Sequence, residues 1–314
     1  MTTTTPLSVL VILGTGDIGQ ACARRLAHNR IIFLGDISQT NLNSAASSLR
    51  QDGHQQIHAH IVDVSSFSSV QKFAQSASAS GPIETIVHTA GLSPVMAPTD
   101  RILQVDLLGT ANVIDAFYDV LPPFSSSSSS SSCGTTLTAI ASIARLAASP
   151  SPDLSRHLAT APRDTLLSPT PTAGKEDPLK GELERILQKG GPTAAYALSK
   201  AANFLRVQAA ARKWSAHRGG GGGGARINTV SPGLILTAMT REEETVGGMG
   251  PFMRGMMEST PMGRGGTADE VASVVAFLAS AEASFVTGSD LVVDGGFVAG
   301  NGGFEMPGDE EGAE

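Results

Sequence analysis

Tyr196 and Lys200 stand four residues apart in Ala-Ala-Tyr196-Ala-Leu-Ser-Lys200-Ala-Ala-Asn, a run whose other residues favour helix. Positions i and i+4 of a helix are neighbours, so both side chains leave one face. An ammonium beside a phenol favours the phenolate and draws down a pKa that is otherwise about 10. A tyrosine placed this way can protonate a carbonyl oxygen or take the proton of an alcohol. The pair alone does not specify that chemistry, because an amphipathic helix can set a half-buried Tyr near a surface Lys by chance. The residues upstream decide.

Those residues make a nucleotide site. Ser8-Val-Leu-Val-Ile-Leu13 is a short apolar run that leads into Gly14-Thr-Gly16-Asp17-Ile18-Gly19 and then into Gln20–Leu26 at helical period. Strand, glycine turn and helix follow in the order that dinucleotide binding requires. Gly14 permits the tight turn, Gly16 lets the backbone approach a pyrophosphate, and Gly19 allows close helix packing, with Asp17 and Ile18 opening the helix whose N-terminus faces the phosphates. A second apolar run, Arg30-Ile-Ile-Phe-Leu-Gly-Asp36, ends in an acid twenty residues after Gly16. A carboxylate there accepts from the adenosine ribose hydroxyls and repels a 2′-phosphate. No Lys or Arg follows Asp36 before Arg50, so NAD is favoured over NADP.

The 314 residues, 41% hydrophobic and 16% charged, are ordinary for a globular protein, and the net charge of -7 offers no basic surface to nucleic acid. Two cysteines, Cys22 and Cys133, make neither a disulfide framework nor a metal set, which fits a reducing compartment. No apolar run approaches the length of a membrane span, and the Met-Thr-Thr-Thr-Thr-Pro start lacks the features of a secretion signal, so a cytoplasmic location is expected.

Further strands are expected at 56–62, closed by Asp63-Val64; at 84–88, running into Thr89-Ala90-Gly91; at 135–141, ending at Ser142; at 225–230, stopped by Ser231-Pro232-Gly233; and at 289–294. Helices are expected at about 66–78, 99–120 and 267–280, besides the one that carries Tyr196. Seven strands with crossover helices make a single domain, an α/β doubly wound parallel sheet of the Rossmann type with helices on both faces.

From about Val9 to Gly296 the chain resembles a short-chain dehydrogenase/reductase, on the glycine turn, Asp36, Asp63-Val64, Ala90-Gly91, Ser142, Tyr196-x-x-x-Lys200, Pro232-Gly233 with Thr237, and Asp294-Gly-Gly. The resemblance implies that Tyr196 is the acid/base, that Lys200 holds the nicotinamide ribose and depresses the tyrosine pKa, and that Ser142 bonds the reacting oxygen. It places Asp63 and Val64 beside the adenine, Ala90, Gly91, Pro232 and Gly233 along the cofactor, and Thr237 at the carboxamide. It also implies pairing through the long helices that carry Asp106 and Tyr196, giving a homodimer or homotetramer. Three features depart from the family pattern. The glycine motif is two residues shorter than the usual TGxxxGxG. His88-Thr89 replaces Asn-Asn, and His88 reads either as a base or, more simply, as a structural residue closing a buried strand. Asp106 stands where many relatives have asparagine; its charge can support a water relay near Lys200 or pull on the lysine.

Ser142 and Tyr196 are 54 positions apart, where such a strand-to-helix turn needs about a dozen. The intervening stretch, 147–192, holds seven prolines, so long regular structure is not expected there apart from a short helix over 180–188. It leaves from the serine and returns to the tyrosine, which suits a lid or substrate wall; a surface excursion or a subunit contact is the alternative. Residues 237–262 carry six of nine methionines, a composition suited to a bulky apolar substrate or else to packing on the sheet. The serine run 125–132 and the glycine run 219–224 read as loop expansions, and 303–314 as an acidic tail. The residues thus point to an NAD(P)-dependent oxidoreductase acting on a small-molecule secondary alcohol or its ketone. A cofactor-binding protein without turnover, and an epimerase or dehydratase using the same site, are the alternatives.

Overall fold

Five consecutive apolar residues in β1 (Ser8–Leu13) suit a strand with neighbours on both sides and layers on both faces. In the computed structural model β1 lies inside a seven-stranded parallel sheet ordered β3-β2-β1-β4-β5-β6-β7, between β2 and β4. The structure describes residues 7–121, 134–167, 178–217, 224–245 and 249–301. The serine run, Cys133, the acidic tail and all of the glycine run except Gly224 lie outside the described residues.

The chain passes from β1 through α1 (Asp17–Leu26), β2 (Arg30–Asp36), α2 (Gln39–Gln51), β3 (Ile57–Ile61) and α3 (Phe67–Ser80) to β4 (Ile83–His88). Strand order reverses between β1 and β4, opening a crevice at their carboxyl ends, where open α/β sheets take their ligands. Leu13, the last residue of β1, pairs with Gly35 on one side and His88 on the other, so the glycine turn, Asp36 and Thr89 emerge together. Beyond it lie β5 (Thr136–Ile140), β6 (Arg226–Pro232) and β7 (Asp290–Val293). Side chains alternate across the sheet. Val9, Val11 and Leu13 pack with Phe33, α3 and Trp214 on one face, while Leu10 and Ile12 pack with α1, α2 and α11 (Ala268–Ala279) on the other.

Two elements differ from the sequence expectation. The helix expected over 99–120 is α4 (Thr99–Ile102), a π-helical stretch over Leu103–Leu108, and α5 (Gly109–Tyr118). Wide turns of this kind, invisible to a 3.6-residue period, change the direction in which a side chain leaves the helix. The proline-rich stretch is also more regular than expected. It contains α6 (Pro152–Thr160) and α7 (Arg163–Leu166), because Pro152 sits in the first turn, where its missing N–H is no loss. The helix expected over 180–188 belongs to α8 (Pro178–Ala216), which breaks at Gly191 (φ 52°, ψ -136°) ahead of Pro192.

Glu182 on α8 ties the insertion down, accepting from the Ser151 backbone N–H at 2.7 Å and from its hydroxyl at 2.5 Å. Leu154, Leu158, Leu166 and Leu183 are buried against Ile102, Leu107, Ala195 and Leu198. The insertion therefore covers the outer faces of the two helices that bear Asp106 and Tyr196. Truncating Leu158, which is fully buried, leaves a cavity there; Leu158→Ala is expected to cost about 2–5 kcal/mol in a urea unfolding experiment.

Candidate active site

At the carboxyl ends of the central strands a cavity of about 190 Å³ is bordered by Ser142, Tyr196, Lys200, Gly233 and Thr237. A second hollow of about 290 Å³, beside His60, Lys72 and Phe73 at the β3 edge, contains none of the chemistry-bearing residues named above.

Ser142 ends the β5 excursion and starts the 3-10 turn Ile143–Ala147, accepting from the Ala144 N–H at 3.2 Å. Its hydroxyl is also close enough to the Tyr196 phenol to favour the phenolate and pull the phenol pKa down. The turn is held by Arg145, whose guanidinium donates to Asp290 Oδ2 at 2.8 and 3.1 Å and to Ser231 Oγ at 3.2 Å while lying over the Phe204 ring. Asp290 in turn accepts from the Thr229 and Ser231 hydroxyls at 2.6 and 2.8 Å. Nothing in the sequence reading singled out Arg145 or Asp290. An arginine inside an otherwise apolar strand-to-turn segment was the available signal.

Lys200 and Asp106 form a buried ion pair, Nζ to Oδ2 at 3.0 Å, with side chains 7% and 0% exposed. The other carboxylate oxygen accepts from the Leu92 N–H at 2.8 Å. Asp106 sits in the π-helical stretch, and a Cβ at Gly91 would lie 3.1 Å from both Asp106 Oδ2 and Lys200 Nζ, so a side chain there would crowd the pair. Burial pushes the Asp106 carboxyl up against the opposing pull of Lys200 and the Leu92 N–H, while burial would lower Lys200 but Asp106 and Tyr196 together more than offset it. Both groups thus hold protons more tightly than usual. We assign the charged pair at neutral pH, because a neutral Asp106 would leave a buried ammonium without its counter-ion.

That pair changes the expectation for Tyr196. The phenol, half-buried with Lys200 Nζ 5.2 Å from its ring centre, has its pKa raised rather than lowered. Burial is the largest cause; Lys200 and Ser142 pull it down, and Asp106 and Glu243 push it up. The ammonium that should depress the phenol spends part of its field on Asp106. His88 is buried and held neutral, its pKa lowered to about 3 by burial and by Lys200, and Nε2 lies 3.1 Å from the Thr110 hydroxyl. That hydroxyl donates to the Asp106 carbonyl at 2.8 Å. His88 therefore braces the π-helical stretch and is a poor base.

The glycine turn is fixed from three sides. Gly14 has φ +91° and its Cβ would strike the Ala90 backbone, while a Cβ at Gly19 would strike the Gly14 carbonyl. The Thr89 hydroxyl donates to the Gly14 carbonyl at 2.8 Å, so the residue that replaces the family amide ties the turn to β4. Asp36 accepts from the Thr15 N–H and hydroxyl at 2.6 and 2.8 Å and from the Ser38 N–H at 2.8 Å. At Gly16, the N-cap of α1, a Cβ would meet nothing within 4 Å, and no side chain caps the helix. Uncapped helix N–H groups beside open space suit a pyrophosphate.

Asp63 accepts from the N–H and hydroxyl of Ser65, near Arg101, and the Val64 carbonyl accepts from Asn112 Nδ2 at 2.8 Å. Asn112 was another residue the sequence reading passed over. Gly233 packs on Asp294 with no room for a side chain. Thr237 donates or accepts within a hydroxyl pair with Thr240 at 2.9 Å and caps the first turn of α9 (Ala238–Thr245). Ile18 borders the cavity, whereas Asp17 turns away to accept from the Ala238 N–H at 2.5 Å. Met239 on α9, and Met249, Met253 and Met256 on α10 (Met249–Ser259), wall the cavity; no described residue of 147–192 is part of its lining.

Residues 8–131 match the family described as short chain dehydrogenase, and residues 186–298 match the family described as enoyl-(acyl carrier protein) reductase. The short-chain dehydrogenase/reductase bsc3 of Alternaria brassicicola is 36% identical over 295 residues, covering 93% of this chain and 96% of that protein. The chain is a short-chain dehydrogenase/reductase. This family member is also 29% identical over 217 residues to the 3-alpha-hydroxysteroid dehydrogenase/carbonyl reductase of Comamonas testosteroni, covering 69% of the chain and 73% of that protein. Its fold matches levodione reductase with a TM-score of 0.68 at 20% identity, covering 93% of this chain and 98% of the other. It also matches the 3-alpha-hydroxysteroid dehydrogenase of Pseudomonas sp. B-0831 complexed with NADH, with a TM-score of 0.66 at 24% identity, covering 93% and 97%.

The electrostatics of this short-chain dehydrogenase/reductase can be read directly, because it has only two tyrosines. In a Tyr118→Phe background, phenolate absorbance from Tyr196 is expected to appear above the ordinary value of 10.0. Adding Asp106→Asn removes a charge that opposes the phenolate and frees the field of Lys200. The titration should then move to lower pH.

Proposed function

We propose that the chain interconverts a secondary alcohol and its ketone with a nicotinamide cofactor, using Tyr196 as acid and base. The observation that carries this reading is the convergence of Ser142, Tyr196 and Lys200 on one cavity beside the glycine turn. A dinucleotide fits the residues present, since the open space at Gly16 lies against the uncapped N-terminus of α1. Gly14, Gly16, Ile18 and Gly19 would hold its pyrophosphate, Asp36 its adenosine ribose, Asp63 and Val64 its adenine, Lys200 its second ribose, and Ala90, Gly91, Pro232, Gly233 and Thr237 the nicotinamide end. Bound nicotinamide supplies hydride transfer at its ring carbon.

The chain's own residues handle the proton and the developing charge. Ser142 donates to the substrate oxygen, and Tyr196 passes its proton to that oxygen as it becomes an alkoxide. Because its pKa lies above the usual value, Tyr196 is protonated at neutral pH, the form that ketone reduction requires. Alcohol oxidation needs the phenolate and therefore gains as pH rises. Asp36 keeps both oxygens occupied by Thr15 and Ser38, which fixes its negative charge where a 2′-phosphate would lie and supports NAD over NADP. The methionine wall supports a bulky apolar substrate.

Tyr196→Phe is expected to lower kcat for NADH-dependent ketone reduction by about 10²–10⁴-fold, with NADH binding retained in a fluorescence titration. Unchanged turnover would rule out the proton role. Asp36→Ser is expected to narrow the NAD over NADP preference in kcat/KM by about tenfold, the ratio that about 1.4 kcal/mol corresponds to.

A further inference from the structure

Asp17 opens α1, yet its carboxylate reaches another helix, accepting from the Ala238 N–H at 2.5 Å across 221 positions of sequence. Ala238 is the first residue of α9. That helix needs an outside tie. Of its eight residues only Thr240 is buried, and most of the rest face solvent, whereas a helix this short is held mainly by packing. Thr237 accepts from the Thr240 N–H at 3.2 Å and the Thr240 hydroxyl donates to the Ile235 carbonyl, but both bonds stay within residues 235–240. The Asp17 bond fastens α9 to the glycine turn. Ile18, next to Asp17, and Met239, next to Ala238, both border the cavity, so the bond joins two of its walls.

We propose that Asp17 is a positioning residue for substrate binding: its carboxylate latches α9, and with it Met239, to the turn that would hold the pyrophosphate. This deepens the alcohol and ketone reading and rests on it for the identity of the cavity. The half-buried carboxylate forms no ion pair with a described Lys, Arg or His. The partial positive charge at the N-terminus of α9 offsets it instead. The glycine pattern alone counts Asp17 among the residues that hold the cofactor. A negative charge beside a pyrophosphate opposes binding, so the latch gives Asp17 a different task. Removing the carboxylate loosens the substrate wall and leaves cofactor affinity equal or higher. Those two effects, opposite in sign, are the signature of the latch.

The test uses the full chain as wild type, Asp17→Ala and Asp17→Asn. Amide hydrogen exchange over residues 236–245 is followed without cofactor, and NADH affinity is taken from a fluorescence titration. KM and kcat are measured with excess NADH on whichever of a panel of alicyclic ketones the wild-type protein reduces. In Asp17→Ala, exchange over 236–245 should quicken about fivefold, the effect of a typical lost helix cap, with α11 unchanged. NADH should bind at least as tightly as to the wild type, and KM for the ketone should rise about fivefold with a smaller change in kcat. Asp17→Asn keeps an acceptor, so it should recover most of the exchange protection and most of the KM. Equal exchange over 236–245 in the wild-type and Asp17→Ala proteins, an unchanged KM, or a loss of NADH affinity in Asp17→Ala would overturn the proposal. A wild-type protein that binds no NADH or reduces no ketone would instead sink the redox reading, with hydrogen exchange still deciding the latch.

Discussion

An ammonium and a carboxylate withdrawn from water each lose several kcal/mol of hydration, and only close mutual contact with further hydrogen bonds restores it. Lys200 and Asp106 satisfy that constraint, and much of the site's geometry follows from it. The contact is accompanied by a close glycine at Gly91, a Leu92 N–H turned inward onto Asp106, and a widened helix after α4 that carries Asp106. The widened stretch needs its own brace, which Thr110 and His88 provide. The strand end at His88, the π-helical stretch and the Tyr196 helix are thus one electrostatic unit.

A comparable arrangement secures the other reacting side chain. Arg145 and Asp290 pin the turn after Ser142 to β6 and β7, so the serine approaches Tyr196 from a rigid strand end rather than a free loop. Two buried or half-buried ion pairs therefore fix the two ends of the proton-transfer geometry. Loss of either partner would leave its mate stranded in a low-dielectric setting.

The sheet, the glycine turn and the Tyr196 helix were legible in the sequence because apolar runs, glycines and helical period are local signals. β1, β2 and the helix after Thr267 show this most plainly: their ends coincide with Gly14, Asp36 and a Thr267–Glu270 capping box. What the sequence did not disclose depends on partners far along the chain. Whether Lys200 lowers the phenol depends on what else Lys200 touches, and Asp106 is contributed from 94 positions away. The π-helical turn has no periodic signature of its own. Arg145, Asn112 and Glu243 are ordinary residue types until their surroundings are known. Proline content misled for a simpler reason: Pro152 and Pro162 stand at helix starts, where they help.

The insertion has one further consequence. Leu154, Leu158 and Leu166 complete the apolar layer behind Asp106 and Tyr196 from within the same polypeptide. Support that comes from a second subunit weakens as the protein is diluted, since it obeys mass action. Support that is covalently tethered does not. The share of the backing that these leucines supply is therefore set by the chain itself and does not change with protein concentration.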